Sequence, residues 1–195
     1  MMRPVLYIFV KAPLMGKAKT RLARDIGYVH AQRLYKAMTA NLLRNVQDPR
    51  WETVLAITPA RFHYKLPLWD GLPQEVQAQG SLSPRLAHAF NRKGPVVVIG
   101  SDCPQVTRTD IANAFEALGR GQGVLGPADD GGFWLIGMNG PAPVDMFDHV
   151  RWSHDETLSD MKTRFDGPVH ELRTLIDVDD LSALKAVRKG RGRGW

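Results

Sequence analysis

Three acidic groups in this 195-residue chain have the side chains and settings that chemistry needs. The first is Asp102, in VVVIGSDCP at 96–104, where an apolar run leads straight into Gly100, Ser101, Asp102, Cys103 and Pro104. An aspartate at a strand's carboxyl end faces the ligand crevice of an open α/β sheet, and a carboxylate is a hard ligand suited to magnesium or manganese. The second is GPADDGGFWLIGM at 126–138, with Asp129 and Asp130 beside Gly131 and Gly132. These acids could contact a sugar or acceptor hydroxyl, or a metal, while the glycines permit close backbone approach or positive φ. The third is LIDVDDL at 175–181, carrying Asp177, Asp179 and Asp180, which could supply a second metal ligand. Each group also has a plain structural use: Asp102 as a turn or helix cap, Asp129–Gly132 as the turn of a hairpin-like connection, the last acids as a helix N-cap.

The opposite charge lies in KAPLMGKAKTRLA at 11–23, which gathers Lys11, Lys17, Lys19 and Arg21 around Gly16, with Arg24 beyond. Cations on a loop entering a helix suit a phosphorylated ligand, since Arg can grip two oxygens at once. A Walker loop is excluded by spacing: Ala18 follows Gly16-Lys17, and Lys11 stands at the place of the first glycine. The dinucleotide fingerprint is absent too. A solvated basic loop is the alternative reading. Cys103 has no partner cysteine, so it reads as a small buried residue in a chain suited to a reducing cytoplasm.

The elements that must position these groups follow from the apolar pattern. Val5–Val10, Thr53–Thr58, Val96–Gly100 and Phe133–Met138 are short, poorly alternating runs, as expected of strands covered on both faces. Gly123–Gly126 and Val169–Ile176 are weaker strand candidates. Leu34, Met38, Leu42 and Val46 recur every four residues, predicting a helix over about 29–46 that Pro49 closes. Asp110–Leu118 predicts a second helix capped by Thr107 or Thr109, and Pro84–Phe90 a third. Pro59–Gly80 reads as a loop-rich stretch. Strands alternating with helices indicate a three-layer α/β/α, Rossmann-like domain with a mixed, mainly parallel sheet over residues 1–187.

Composition bounds the partners. At 44% hydrophobic and 24% charged residues the chain is an ordinary globular one. It has no apolar run long enough for a membrane span, and its start lacks the features of a signal peptide. Of the formal charge of +6, five units come from Lys185, Arg188, Lys189, Arg191 and Arg193, leaving a nearly neutral body and a basic tail at 188–195. Nucleic-acid binding would need a basic face on the body, so it is not expected.

KAPLMGKAKTRLA, IGSDCPQVT, GPADDGGFWLIG, RWS and IDVDDL, in this order, resemble a bacterial family titled glycosyltransferase or domain of unknown function. That family is similar to 2-phospholactate guanylyltransferase and, more distantly, to molybdenum-cofactor guanylyltransferase and sugar nucleotidyltransferases. The resemblance runs from about residue 5 to 187 and implies a GT-A-type nucleotide-diphospho-sugar transferase fold. It implies Mg2+ or Mn2+ on Asp102 and Asp179, with the choice among Asp177, Asp179 and Asp180 open. It places nucleotide phosphates on Lys11, Ala12, Pro13, Gly16, Lys19, Arg21 and Arg85, the acceptor at Asp129, Asp130, Gly131 and Gly132, and catalysis on Lys19, Arg21 and Asp102. The chain departs from the family's GDLGxR pattern at 79–90, where Ser81, Ser83 and Pro84 stand and only Gly80 and Arg85 are kept. The expected partners are a nucleoside triphosphate or nucleotide sugar and a small phosphorylated or hydroxyl acceptor. The alternative is a catalytically weak nucleotide-binding or regulatory module, favoured by the altered 81–84 segment.

Overall fold

The computed structural model describes residues 2–16 and 18–191. Seven strands, β1 (Val5–Lys11), β2 (Glu52–Thr58), β3 (Gln74–Val76), β4 (Gly94–Gly100), β5 (Gly123–Pro127), β6 (Phe133–Gly140) and β7 (Val169–Glu171), form one sheet. Their order is β3-β2-β1-β4-β6-β5-β7. β3, β2, β1 and β4 are mutually parallel, β5 and β7 pair in parallel, and β6 runs against both β4 and β5. The reversal is local in origin: the Ala128–Gly132 turn is too short for a crossover, so β5 and β6 must form an antiparallel hairpin.

Among the described residues there are six α-helices: α1 (Thr20–Ile26), α2 (Tyr28–Val46), α3 (Leu82–Ala89), α4 (Arg108–Gly119), α5 (Thr157–Thr163) and α6 (Leu181–Arg191). Successive β1 side chains point to opposite faces. Leu6, Ile8 and Val10 pack with Leu42 and Leu43 of α2 and Ile111, Ala114 and Leu118 of α4. Val5 and Tyr7 pack with Leu86 and Ala89 of α3 and Met161 of α5. Two buried faces explain why β1 shows no polar alternation, and the three layers match the architecture read from the sequence. Leu6 and Ile8 are fully buried, each contributing about 1.5–3 kcal/mol; truncating Leu6 to Ala would cost about 2–5 kcal/mol. A third apolar cluster joins Leu22 of α1, Met38 of α2 and Leu184 and Val187 of α6 around Val178.

Several elements differ from the expectation. The segment 59–80 contains two short 3-10 turns and the edge strand β3, whose Gln74 amide bonds Tyr64 N and Trp69 O. The late strand stops at Glu171, because Arg173 turns outward to Asp110 and the chain beyond makes only an isolated bridge, Ala128 with Leu175. Thr107, not Thr109, caps α4, in a capping box with Asp110. α2 ends at Val46, as the apolar stripe indicates, and Gln47 is already extended ahead of Pro49. α6 carries Lys185, Arg188 and Lys189 and continues to Arg191, while Gly192–Trp195 of the expected tail, with Arg193, lie outside the described residues. Among the described residues no helix is long and apolar enough to cross a membrane.

Candidate functional site

The carboxyl ends of β1, β2, β4 and β5 and the start of β6 meet at one edge of the sheet. Asp102 sits two residues past β4. The chain after β7 returns to this edge as an extended segment: Leu172 N and Leu175 N donate to Leu125 O and Pro127 O, and Asp129 N donates to Leu175 O. It is then pinned by Val178 N donating to Asp102 O and Leu22 N donating to Asp179 O. Burial of Val178 points the residues on either side, Asp177 and Asp179, toward Asp102. One oxygen from each of Asp102, Asp177 and Asp179 lies within 4.8 Å of the others. Asp180 does other work, accepting the Ala183 N–H at 2.8 Å as a cap of α6. The structure therefore brings Asp177 and Asp179 to Asp102 and takes Asp180 away.

Lys19 is the cation of this cluster. Its backbone is left-handed, with φ 52°, immediately before α1, and its side chain is only 3% exposed. Its Nζ lies 2.5 Å from Asp102 Oδ1, 2.8 Å from Asp179 Oδ1 and 3.6 Å from Asp177 Oδ1. Burial works against its charge, but the three carboxylates outweigh burial and hold the ammonium protonated well above its usual range. At 3.6 Å the lysine is too far to hydrogen-bond Asp177, whose buried Oδ1 has no hydrogen-bond partner among the described residues. Burial first, then the neighbouring Asp102, Asp179 and Asp130, push Asp177 up to about 7 against the pull of Lys19. The Cys103 thiol is buried and raised as well, first by desolvation and then by Asp177 and Asp102, which fits an inert packing residue.

Two cavities meet at the acids, sharing Arg21, Asp102 and Asp179. The first, about 380 Å³, is lined by Lys11, Lys19, Arg21, Thr58, Gln77 and Arg85 among others. Arg85 donates to Gly80 O and Gln77 Oε1, while its Nε is buried without a partner among the described residues. Gln77 in turn donates to Val10 O and Ala56 O, fixing the arginine's support on β1 and β2. The second cavity, about 450 Å³, has an aromatic wall of Phe133, Trp134 and Trp152 with Asp130, His154, Asp155 and Asp177. Trp152 stands edge-on to Phe133 at 6.2 Å, and its Nε1 donates to Ser83 Oγ, which donates to Phe147 O. The serine at the altered 81–84 segment thus orients an aromatic of the site.

Other sequence-predicted residues take supporting places. Ala12 and Pro13 are buried and line neither cavity; Pro13 O accepts from Gln32. Gly16 makes a turn at φ 71° beside Tyr28 and lines neither cavity, and Lys17 lies outside the described residues. Asp129 accepts the Asp177 N–H at 3.1 Å, so it aims a triad residue without lining either cavity. Asp130 accepts from Gly132 N within the turn. Gly131 needs its φ of 84° and its missing Cβ for packing, since that atom would fall 2.2 Å from Asp155 O. The sequence reading missed Tyr35: its hydroxyl donates to Lys11 O, accepts from Lys11 N and bonds Ser101 Oγ at 3.1 Å, tying the ends of β1 and β4 together. A polar hydroxyl one residue from Leu34 on the apolar stripe was the available signal.

The bacterial family described as "Uncharacterized protein conserved in bacteria (DUF2064)" matches residues 41–154. The structure is similar to a candidate nucleotide-diphospho-sugar transferase from Desulfovibrio desulfuricans G20, at 26% identity and TM-score 0.87, covering 100% of this chain and 90% of that one. It also shares its fold with a 4-diphosphocytidyl-2C-methyl-D-erythritol synthase from Anaerococcus prevotii DSM 20548, at 10% identity and TM-score 0.61, over 96% of this chain and 98% of that chain. The manganese complex of Rv0371c from Mycobacterium tuberculosis H37Rv aligns at 16% identity and TM-score 0.55, over 95% and 98% of the two chains. Among curated proteins no sequence matches the chain. The fold is therefore of the nucleotide-diphospho-sugar transferase type.

Proposed function

We propose that this chain, which belongs to the bacterial DUF2064 family, is a metal-dependent transferase acting on a nucleotide-activated donor. The observation that carries the reading is the meeting of Asp102, Asp177 and Asp179 at the border of a cation-lined cavity and an aromatic one. Three oxygen donors this close, one of them buried without a hydrogen-bond partner among the described residues, form a donor set suited to Mg2+ or Mn2+. The manganese bound by Rv0371c is in keeping with that, as is the donor chemistry in the names of the similar structures. When bound, the metal would supply a Lewis-acid charge to the donor's phosphate oxygens.

The chain's own residues supply the rest. Lys11, Lys19, Arg21 and Arg85 face the first cavity, where they would hold a polyphosphate and oppose charge growing on the leaving group. Tyr35 keeps the two strand ends at fixed separation, so these cations and Asp102 act as one constellation. The acceptor would enter from the second cavity, across Asp102 and Asp179 from the donor. If its oxygen attacks the α-phosphorus of a nucleoside triphosphate, the bond from that phosphorus to the bridging oxygen breaks and pyrophosphate leaves, the proton of a hydroxyl acceptor passing to solvent. If it attacks the anomeric carbon of a nucleotide sugar, the bond from that carbon to the phosphate oxygen breaks and a nucleoside diphosphate leaves, the hydroxyl proton again passing to solvent.

The test is incubation of the purified protein with nucleoside triphosphates and nucleotide sugars, with Mg2+ or Mn2+. Pyrophosphate release identifies nucleotidyl transfer, and nucleoside diphosphate release identifies glycosyl transfer. Nucleotide binding with neither product would support the binding-module alternative and overturn the transferase.

A further inference from the structure

The two cavities differ in charge in a way that bears on the acceptor. Lys11, Lys19, Arg21 and Arg85 line the first. Among the described residues lining the second, Arg21 is the sole lysine or arginine, and it is shared with the first. A divalent cation together with Lys19 would offset the formal charge of Asp102, Asp177 and Asp179. The second cavity would still present Asp130 and Asp155, which belong to no such cluster. Asp130 takes one hydrogen bond, from Gly132 N to its Oδ1. His154 Nδ1 is held within its own turn, 2.7 Å from Asp155 Oδ1 and accepting the Glu156 N–H at 3.1 Å. The same cavity carries the wall of Phe133 and Trp152, the latter held in orientation through Ser83.

We infer that the acceptor is a polyhydroxyl compound bearing no phosphate, seated on Trp152 and Phe133; the inference rests on the transferase reading above. Carboxylates accept hydrogen bonds but cannot give them, so Asp130 and Asp155 suit hydroxyl donors. The C–H face of a sugar-type ring matches an aromatic wall with one wet end. A phosphate group in the same place would meet like charges and find Arg21 already facing the donor. This selects the hydroxyl member of the two acceptor classes that the sequence leaves open.

Matched pairs test it: glycerol with glycerol 3-phosphate, glucose with glucose 1- and 6-phosphates, ribose with ribose 5-phosphate, each offered with the donor panel and Mn2+. The unphosphorylated member is expected to have a kcat/KM higher by about tenfold or more. Inorganic phosphate gives a second measurement that needs no acceptor identity. Phosphate is titrated while the emission of Trp152 is followed as the difference between wild type and Trp152→Phe. No phosphate-dependent difference is expected below about 1 mM, whereas Asp130→Lys should gain one. Preference for a phosphorylated member, or phosphate reaching Trp152 in the wild type, overturns the inference. Where no pair turns over, the phosphate titration decides. Absence of metal-dependent donor turnover with any compound would sink the transferase reading instead; turnover with phosphorylated acceptors preferred would sink only the acceptor class.

Discussion

Asp110 and Asp177 are both withdrawn from water, yet the fold treats them in opposite ways. Asp110 accepts two bonds from Arg173, at 2.8 Å each, and two from Thr107 in the capping box. Burial would raise its pKa, but those donors outweigh it and hold the carboxyl below the usual range. Asp177 has one buried oxygen without a hydrogen-bond partner among the described residues, and burial, against the pull of Lys19, with repulsion from Asp102, Asp179 and Asp130 lifts it to about 7. Unmet electrostatic demand is costly, and it persists where the rest of the fold enforces it, here through Val178 and the Asp129 carboxylate. A saturated carboxylate holds structure together; an unsaturated one is left ready for a ligand.

The largest effect should come from removing the unsaturated side of this contrast. Asp102→Asn and Asp177→Asn are each expected to lower metal-dependent turnover by about 100-fold or more while thermal melting in metal-free buffer stays near wild type. Full turnover by Asp177→Asn would make its missing partner an accident of packing.

Lys19→Met comes next. It leaves three carboxylates facing one another without the ammonium they share. In metal-free buffer the expected loss of stability is about 2–3 kcal/mol, below the range for fully buried pairs because Asp102 and Asp179 are partly exposed. Added Mn2+ should restore more melting temperature in the variant than in wild type, since the ion now enters an uncompensated acid cluster. Equal metal effects in both proteins would mean that the ion binds elsewhere.

How much of this contrast was legible in the sequence depends on what each residue answers to. Asp102 could be read because a long apolar strand runs directly into it, and Thr107 because a cap leaves a local signature. Asp177, Asp179 and Asp180 could not be separated, since what sorts them is the burial of Val178 against α1, α2 and α6, a tertiary fact. Arg173 with Asp110, 63 residues apart, left no local sign either. α1 was hidden because Lys19 precedes it in a left-handed conformation with no side-chain cap, and β3 because three residues on a sheet edge show no period. The aromatic wall of the second cavity comes from β6 and the loop before α5, regions that the sequence linked only through their shared order in a family resemblance.

On the saturated side the effects should be smaller and confined to stability. Asp110→Asn weakens the bonds to Arg173 and half of the capping box. The expected cost is about 1–2 kcal/mol, seen as a lower denaturation midpoint, with turnover per folded molecule unchanged. A drop in turnover beyond the loss of folded protein would mean that the Arg173 tether helps to set the triad through the 172–177 segment.

The finest distinction is in acid. Because the folded-state pKa of Asp110 lies below its ordinary value of 3.8, folding favours its ionised form. That contribution is complete above the unfolded-state value, shrinks as pH falls below it, and is gone once pH has passed the folded-state value. Asp110→Asn cannot titrate there, so the stability gap between wild type and variant should be constant from pH 7 to about pH 5 and narrow below about pH 4. Urea unfolding of both proteins at several pH values measures that gap directly, and subtraction removes other acids, such as Asp160, that lose their partners over the same range. A gap that stays constant down to pH 3 would show that Arg173 and Thr107 do not favour the carboxylate over the acid, and the saturation of Asp110 would be geometric without being electrostatic.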